Sequence, residues 1–211
     1  MSTSDYMVWI DCEMTGLNLS SDALIEVAVL VTDAGLNVLG DGVDVIIAPP
    51  PEAIAQMSAF VTQMHSSSGL LVATESGMNL ADAEAVILDY VKSHIPEPGR
   101  VPLAGSSVGM DRAFLARDMP KLESHLHYRN IDVSSIKELV RRWYPRAFHS
   151  SPDKKHNHRA LDDIKDSITE LRYYRQAIFV PTPGPTRLAA KQIAADNAEF
   201  SPSSHPNAIT D

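Results

Sequence analysis

The chain has 211 residues, with 18 Lys and Arg against 27 Asp and Glu, a formal net charge of −9. That balance argues against a protein that coats long nucleic acid through a basic face, but not against an enzyme that holds a few phosphates through bound cations. Apolar residues at 44% and charged residues at 21% are ordinary for a globular chain. A domain near this size hides roughly 70% of its unfolded surface and needs no disulfide staples, and Cys12, the single cysteine, fits a reducing, cytoplasmic setting. No apolar run approaches ~18 residues and the first residues carry no basic-then-apolar leader, so neither a membrane span nor a secretory signal is expected.

Taken in order, Tyr6 to Gly16 (YMVWIDCEMTG) is an apolar run that ends in two acids and a turn. Met7 to Ile10 predict a central strand. Leu24 to Thr32 predict a second strand, and Val43 to Ala48 a third that Pro49, Pro50 and Pro51 stop. With tight turns between them these make an antiparallel meander. Glu52 to Ser58 and Phe60 to Ser67 suit two short helices, and Asn79 caps a longer one over Leu80 to His94, striped by Ala83, Val86, Ile87, Tyr90 and Val91. Val101 to Ala104 is a short fourth strand, Met110 to Asp118 a helix, and Arg129 to Val133 a fifth strand. Ser134 or Ser135 then caps a helix through Trp143; Ser150 to Asn157 is polar loop, and Ala160 to Phe179 is an amphipathic helix. The expected architecture is α/β, a five-stranded mixed sheet flanked by helices, over residues 1–180. Residues 181–211, rich in Pro, Ser and Ala, are expected to form a mobile or loosely docked tail with a short helix inside Leu188 to Phe200.

The acids carry the chemistry. On a strand, residues i and i+2 share a face, so Asp11 and Glu13 converge at the end of a buried element. Like charges held there are costly unless a cation neutralises them. A divalent-metal site is the working reading, and further ligands are sought. Asp111 follows the Gly105-Ser-Ser turn in the first turn of a helix. The last helix offers Asp162, Asp163 and Asp166. At 100° per residue Asp163 lies roughly 100° from the centre of the apolar stripe, whereas Asp162 and Asp166 lie about 160° away, facing solvent. Asp163 is therefore the ligand expected from that helix. His158, five places earlier, reaches the same site only from the loop ahead of the helix.

Asp11-x-Glu13, Asp111 and His158-x4-Asp163, in this order, resemble the DEDDh 3′–5′ exonucleases, with their ribonuclease H-like fold. WIDCEMTGL, LVTDAGLNVL, HSSSGL, DRAFLARDMPKLESHLHYRNIDVSSIKELVRRWYP and HRALDDIKDSITELRYYR are similar to oligoribonucleases. These blocks span Tyr6 to Phe179 and none of the tail.

The resemblance implies that Asp11, Glu13, Asp111 and Asp163 hold two Mg²⁺ or Mn²⁺ ions, in keeping with an all-oxygen donor set. His158 would be the general base that takes a proton from the attacking water. The substrates implied are short single-stranded RNAs, down to dinucleotides, whose 5′ phosphate is capped by positions matching Ser107, Arg129 and Ser134, with His65 and Tyr128. Tyr128 and His65 belong to positions around a dimer interface in the family, so a homodimer is implied. Leu17 and Phe60 match residues that wedge bases apart, with Phe60 where many relatives have tryptophan. Two rivals stand beside this reading: a proofreading-type or general 3′–5′ exonuclease acting on DNA or longer strands, and a non-catalytic RNA-binding protein that kept the fold.

Overall fold

The computed structural model describes residues 5–153 and 159–198. His158 therefore lies outside the described residues, as do the last residues of the tail. Strand β1 (Met7–Met14) forms antiparallel pairs with β2 (Leu24–Thr32), and β2 pairs the same way with β3 (Val38–Ile46). β2 is buried along its whole length, which its nearly unbroken run of apolar and β-branched residues predicts. β3 begins five residues before the expected Val43. Its Gly40 and Gly42, both at positive φ, look like a turn in sequence. An edge strand tolerates them, and a register irregularity between Val29 and Val31 absorbs the distortion.

The helices α1 (Pro51–Ala55), α2 (Ala59–Ser67), α3 (Leu70–Ala73) and α4 (Leu80–His94) follow. Asn79 caps α4 by accepting from the Asp82 N–H. Then come β4 (Pro102–Gly105), α5 (Gly109–Asp118), α6 (Pro120–His125) and β5 (His127–Asp132). The chain continues through α7 (Val133–Trp143), α8 (Pro145–His149) and α9 (Ala160–Ala177). α3, α6 and α8 have four to six residues, too few to show an apolar period, and only the structure reveals them. Glu84 of α4 anchors the start of α6, where its carboxylate accepts from the Lys121 and Leu122 N–H groups. The cap of α7 is Asp132 and not Ser134 or Ser135, because the helix starts at once from the strand end.

The sheet order is β3-β2-β1-β4-β5, with β4 parallel to both β1 and β5. β1 is thus central, and its alternate residues enter two separate cores. Val8, Ile10 and Cys12 pack with Ile87 and Val91 of α4, Phe114 and Leu115 of α5 and Leu122 of α6. Trp9, with Ala28 and Leu30 of β2, packs against Ile164, Ile168 and Tyr174 of α9. The Trp9 indole donates to the Thr32 hydroxyl at 2.9 Å, which satisfies its one polar atom inside the core.

Contacts divide the chain into Met1–Ile178 and Phe179–Asp211. The second unit contains one described helix, α10 (Arg187–Asp196), capped by the Thr186 hydroxyl. No helix among the described residues is long and apolar enough to cross a membrane.

Gly105 ends β4 against β1, where a Cβ would meet the Ile10 carbonyl oxygen at 2.8 Å and the Val108 side chain at 3.2 Å. Backbone cannot move aside cheaply, and Ile10 directly precedes Asp11. Gly105→Ala is expected to destabilise the protein by about 1–3 kcal/mol, the range for overpacking. Urea unfolding checks this, and a loss below about 0.5 kcal/mol would contradict the close approach.

Candidate active site

The two-residue period of β1 decides where its acids point. Asp11 and Glu13 continue the Trp9 side of the strand, the side that faces α9. There they meet Asp163 in the first turn of that helix. One carboxylate oxygen from each of Asp11, Glu13 and Asp163 lies within 4.8 Å of the others. Asp162 is not in this group; it is about half-exposed and pairs with Lys165 at 3.4 Å. Asp111 arrives from the other face of the sheet, on the first turn of α5. It is buried, and its Oδ1 accepts from the Cys12 backbone N–H at 2.9 Å. The backbone of the residue between Asp11 and Glu13 thus fixes the fourth acid, while the Cys12 side chain stays in the opposite core.

Burial and mutual repulsion act together on these groups. Asp11 is held well above the usual carboxylate range, first by desolvation and then by the charges of Asp111, Asp163 and Glu13. Desolvation, then Asp163 and Glu26, push Glu13 up to about 8. Asp111 is raised to about 6, mainly by burial, although the Cys12 N–H opposes the shift. Such a set is unfavourable when fully ionised without a counter-charge. Hard oxygen donors in a tight group suit a divalent cation. The donor set therefore fits a metal centre.

Glu26 sits opposite Glu13 in the β1–β2 register and is fully buried. Its carboxylate takes the Arg159 guanidinium at 2.7 Å and accepts from the Ala160 N–H at 3.1 Å. Arg159 also reaches Asp44 at 3.5 Å. One buried charge thereby ties the start of α9 to the sheet through Arg159, four residues before Asp163 and one after His158. Removing one partner of such a pair costs about 3–5 kcal/mol because it strands the other charge. Sequence reading missed this anchor. Its only signal was an acid inside the otherwise apolar LIEVAVLVT.

The other expected site residues fall into four places. Leu17 and Phe60 are exposed, Phe60 to 77%. His65 is fully buried; its Nε2 lies 2.9 Å from the Met14 carbonyl oxygen and its Nδ1 lies 4.0 Å from Glu13. The ring therefore braces the end of β1 from inside. On β5, the Arg129 guanidinium lies 5.5 Å from the centre of the exposed Tyr128 ring. Ser107 and Ser134 meet through Asp132: the Ser107 N–H, the Ser134 N–H and the Ser134 hydroxyl all donate to it.

A family model described as an exonuclease, RNase_T, matches residues 8–171. Oligoribonuclease of Streptomyces griseus is 65% identical over 192 residues, 91% of this chain and 96% of that protein. Oligoribonuclease of Cutibacterium acnes is 59% identical over 194 residues, 92% of this chain and 96% of that protein. Among solved structures, E. coli exonuclease I in complex with a dT13 oligonucleotide is similar at a TM-score of 0.64 and 15% identity. That match covers 82% of this chain, which spans about two fifths (41%) of the exonuclease I chain. At this identity the likeness is one of fold, the ribonuclease H-like arrangement.

The raised acids give a pH dependence with a definite sign. A carboxyl held at about 8 when folded and at its ordinary 4.5 when unfolded favours folding least above pH 8 and releases its penalty as pH falls toward 4.5. In metal-free protein, Glu13→Gln should raise the melting temperature at pH 8 by at least about 2–4 °C, the shift that 1 kcal/mol gives a domain of this size. The gain should be much smaller at pH 5. Differential scanning calorimetry in EDTA measures both, and a fall at pH 8 would refute the electrostatic account.

Proposed function

The chain belongs to the oligoribonucleases, within the RNase_T exonuclease family, and acts as a 3′–5′ exoribonuclease; on that premise we propose that its preferred substrates are 5′-phosphorylated RNAs of two or a few nucleotides. The exonuclease domain is placed at residues 1–180, with residues 181–211 as a tail. One observation carries the reading. The acid group at the end of β1 and the Ser107–Asp132–Ser134 cluster at the ends of β4 and β5 lie along one edge of a single sheet. Neighbouring strands lie about 4.8 Å apart, so a phosphate held beyond β4 or β5 is roughly 5–10 Å from the acids. A stacked strand rises 3.4 Å per nucleotide. A 5′ phosphate at that cluster is thus only a couple of nucleotides from the scissile bond.

In this reading Asp11, Glu13, Asp111 and Asp163 hold two Mg²⁺ or Mn²⁺ ions, with Asp111 oriented by the Cys12 N–H. When bound, the ions supply Lewis acidity toward the scissile phosphate. His158 takes the proton of the attacking water, and Arg159, anchored on Glu26, fixes the chain one residue beyond it. Water adds to phosphorus, the 3′ oxygen of the preceding nucleotide leaves, and a nucleoside 5′-monophosphate is released. Leu17 and Phe60, both exposed, offer apolar faces to the bases. Arg129 offers a planar fork to the 5′ phosphate, and Ser107 and Ser134 offer neutral donors. With a single Arg and no long basic track, such a cap suits a short ligand on a chain of net charge −9.

The exposed Tyr128 lies on β5, the edge strand of the sheet among the described residues. Pairing there between two copies would bring Tyr128 of each to the other and form the homodimer. A cytoplasmic location accords with the lone reduced cysteine.

Hydrolysis of a 5′-phosphorylated diribonucleotide, beside ten-mer RNA and DNA, with Mg²⁺, Mn²⁺ or EDTA, tests the reading. Faster loss of the ten-mers would favour a general exonuclease, and dinucleotide binding without metal-dependent hydrolysis would favour a non-catalytic protein. Asp163→Ala is expected to abolish turnover while Asp162→Ala keeps most of it; equal losses would refute the ligand assignment. His158→Ala should lower kcat by about 10²–10⁴-fold, the usual contribution of a general base, with Mn²⁺ affinity unchanged by calorimetry.

A further inference from the structure

The last residue of β5 carries more contacts than helix capping requires. Asp132 lies opposite Gly105 in the β4–β5 register, so its side chain reaches the turn that leaves β4. A single oxygen, Oδ1, accepts from the Ser107 N–H at 3.0 Å, the Ser134 N–H at 2.9 Å and the Ser134 hydroxyl at 2.7 Å. The Ser107 N–H also lies 3.2 Å from Ser134 Oγ. Capping α7 accounts for the Ser134 N–H alone. The other two bonds tie the loop after β4 to the start of α7. Ser107 has φ +58°, a left-handed conformation that a residue with a Cβ keeps only when its surroundings hold it.

We propose that Asp132 is the positioning residue that sets the preference for a 5′-phosphorylated end, an inference that rests on the phosphate-cap reading above. Three donors on one oxygen call for a charged acceptor, since hydrogen bonds to an ionised group are roughly twice as strong as neutral ones. Asp132 stands outside the Asp11, Glu13 and Asp163 group, although its charge contributes, after burial, to raising Asp111. It acts through Ser107 and Ser134, which it holds assembled, so that an entering phosphate meets fixed donors in place of two separate loops. It also makes those donors selective. The Ser134 hydroxyl proton points at a carboxylate when no substrate is bound. A phosphate oxygen carries enough charge to draw that proton across, whereas a 5′-hydroxyl end does not.

The test compares kcat and KM for the 5′-phosphorylated and 5′-hydroxyl forms of one diribonucleotide, using the full chain at saturating Mn²⁺. In Asp132→Ala the ratio of kcat/KM between the two forms should fall about ten-fold or more, the scale of a lost hydrogen bond to a charged group. The loss should lie in KM for the phosphorylated form. Asp132→Asn, whose amide oxygen still accepts from the two N–H groups, should recover part of the ratio. An unchanged ratio in Asp132→Ala, or an equal loss on both substrates, overturns the positioning role. If the unaltered protein shows no preference for the phosphorylated form, the cap reading itself falls, a result distinct from a preference that survives the substitution. Should Asp132→Ala fail to fold, Asp132→Asn carries the test alone: a ratio lowered by about three-fold or more supports the role, and an unaltered ratio overturns it.

Discussion

Repulsion among partly buried carboxylates governs this protein. Asp11 and Glu13 are delivered to one spot by the pleat of a central strand, and Asp163 is brought to them by a helix packed on the same face. Burial alone would push Asp11 and Glu13 toward the neutral form, and the charge of Asp163 raises both further. The fold holds them together because the interactions that assemble it lie elsewhere, in two apolar cores on either side of β1. A cation in the site converts a standing cost into a binding energy, and the same carboxyls must release protons to receive it. Stability given up at a site in this way is the usual trade for function.

The sheet supplies precision that a loop could not. β1 is flanked on both sides, with Gly105 allowing β4 to come close at Ile10. Its end is braced by His65 from within and by Asp111 through the Cys12 N–H. The helix that brings Asp163 is held by a buried acid of β2, Glu26, whose carboxylate meets both the Arg159 side chain and the first helical N–H. The cationic partner answers a charge that would be severely penalised alone. It also puts a fixed point next to His158. Two acids of the site are thus backed from the core, Asp111 by the Cys12 N–H and Glu13 by the buried His65 ring.

The proposed preference for short RNA rests on the same edge of the sheet. The strands β1, β4 and β5 run parallel, so their carboxyl ends open on one side, where α/β proteins commonly bind ligands. The clustered acids Asp11 and Glu13 end the first of these strands. Asp132 ends the last and gathers Ser107 and Ser134. The spacing between them is set by the distance between strands and not by the flexibility of loops. A substrate measured in the proposed way would need no long basic track, consistent with the acidic charge of the chain.

Much of this was legible in the residues themselves. Alternation along YMVWIDCEM placed two acids on one face, the helical period of the last helix singled out Asp163 over Asp162, and ordered motifs identified the family. These are signals with a short period, which a single segment carries without its neighbours. What only the tertiary structure decided are contacts between segments far apart in the chain: Glu26 with Arg159, Asp111 with the Cys12 backbone, and Asp132 with Ser107. A lone acid in an apolar strand or at a strand end has no sequence period, and its partner is chosen by register and packing. The same limit hid the short helices α3, α6 and α8 and the early start of β3, where glycines that suggest a turn are accommodated at a sheet edge. Residue types determined which chemistry the chain can perform; long-range packing decided which of its polar groups hold that chemistry in place.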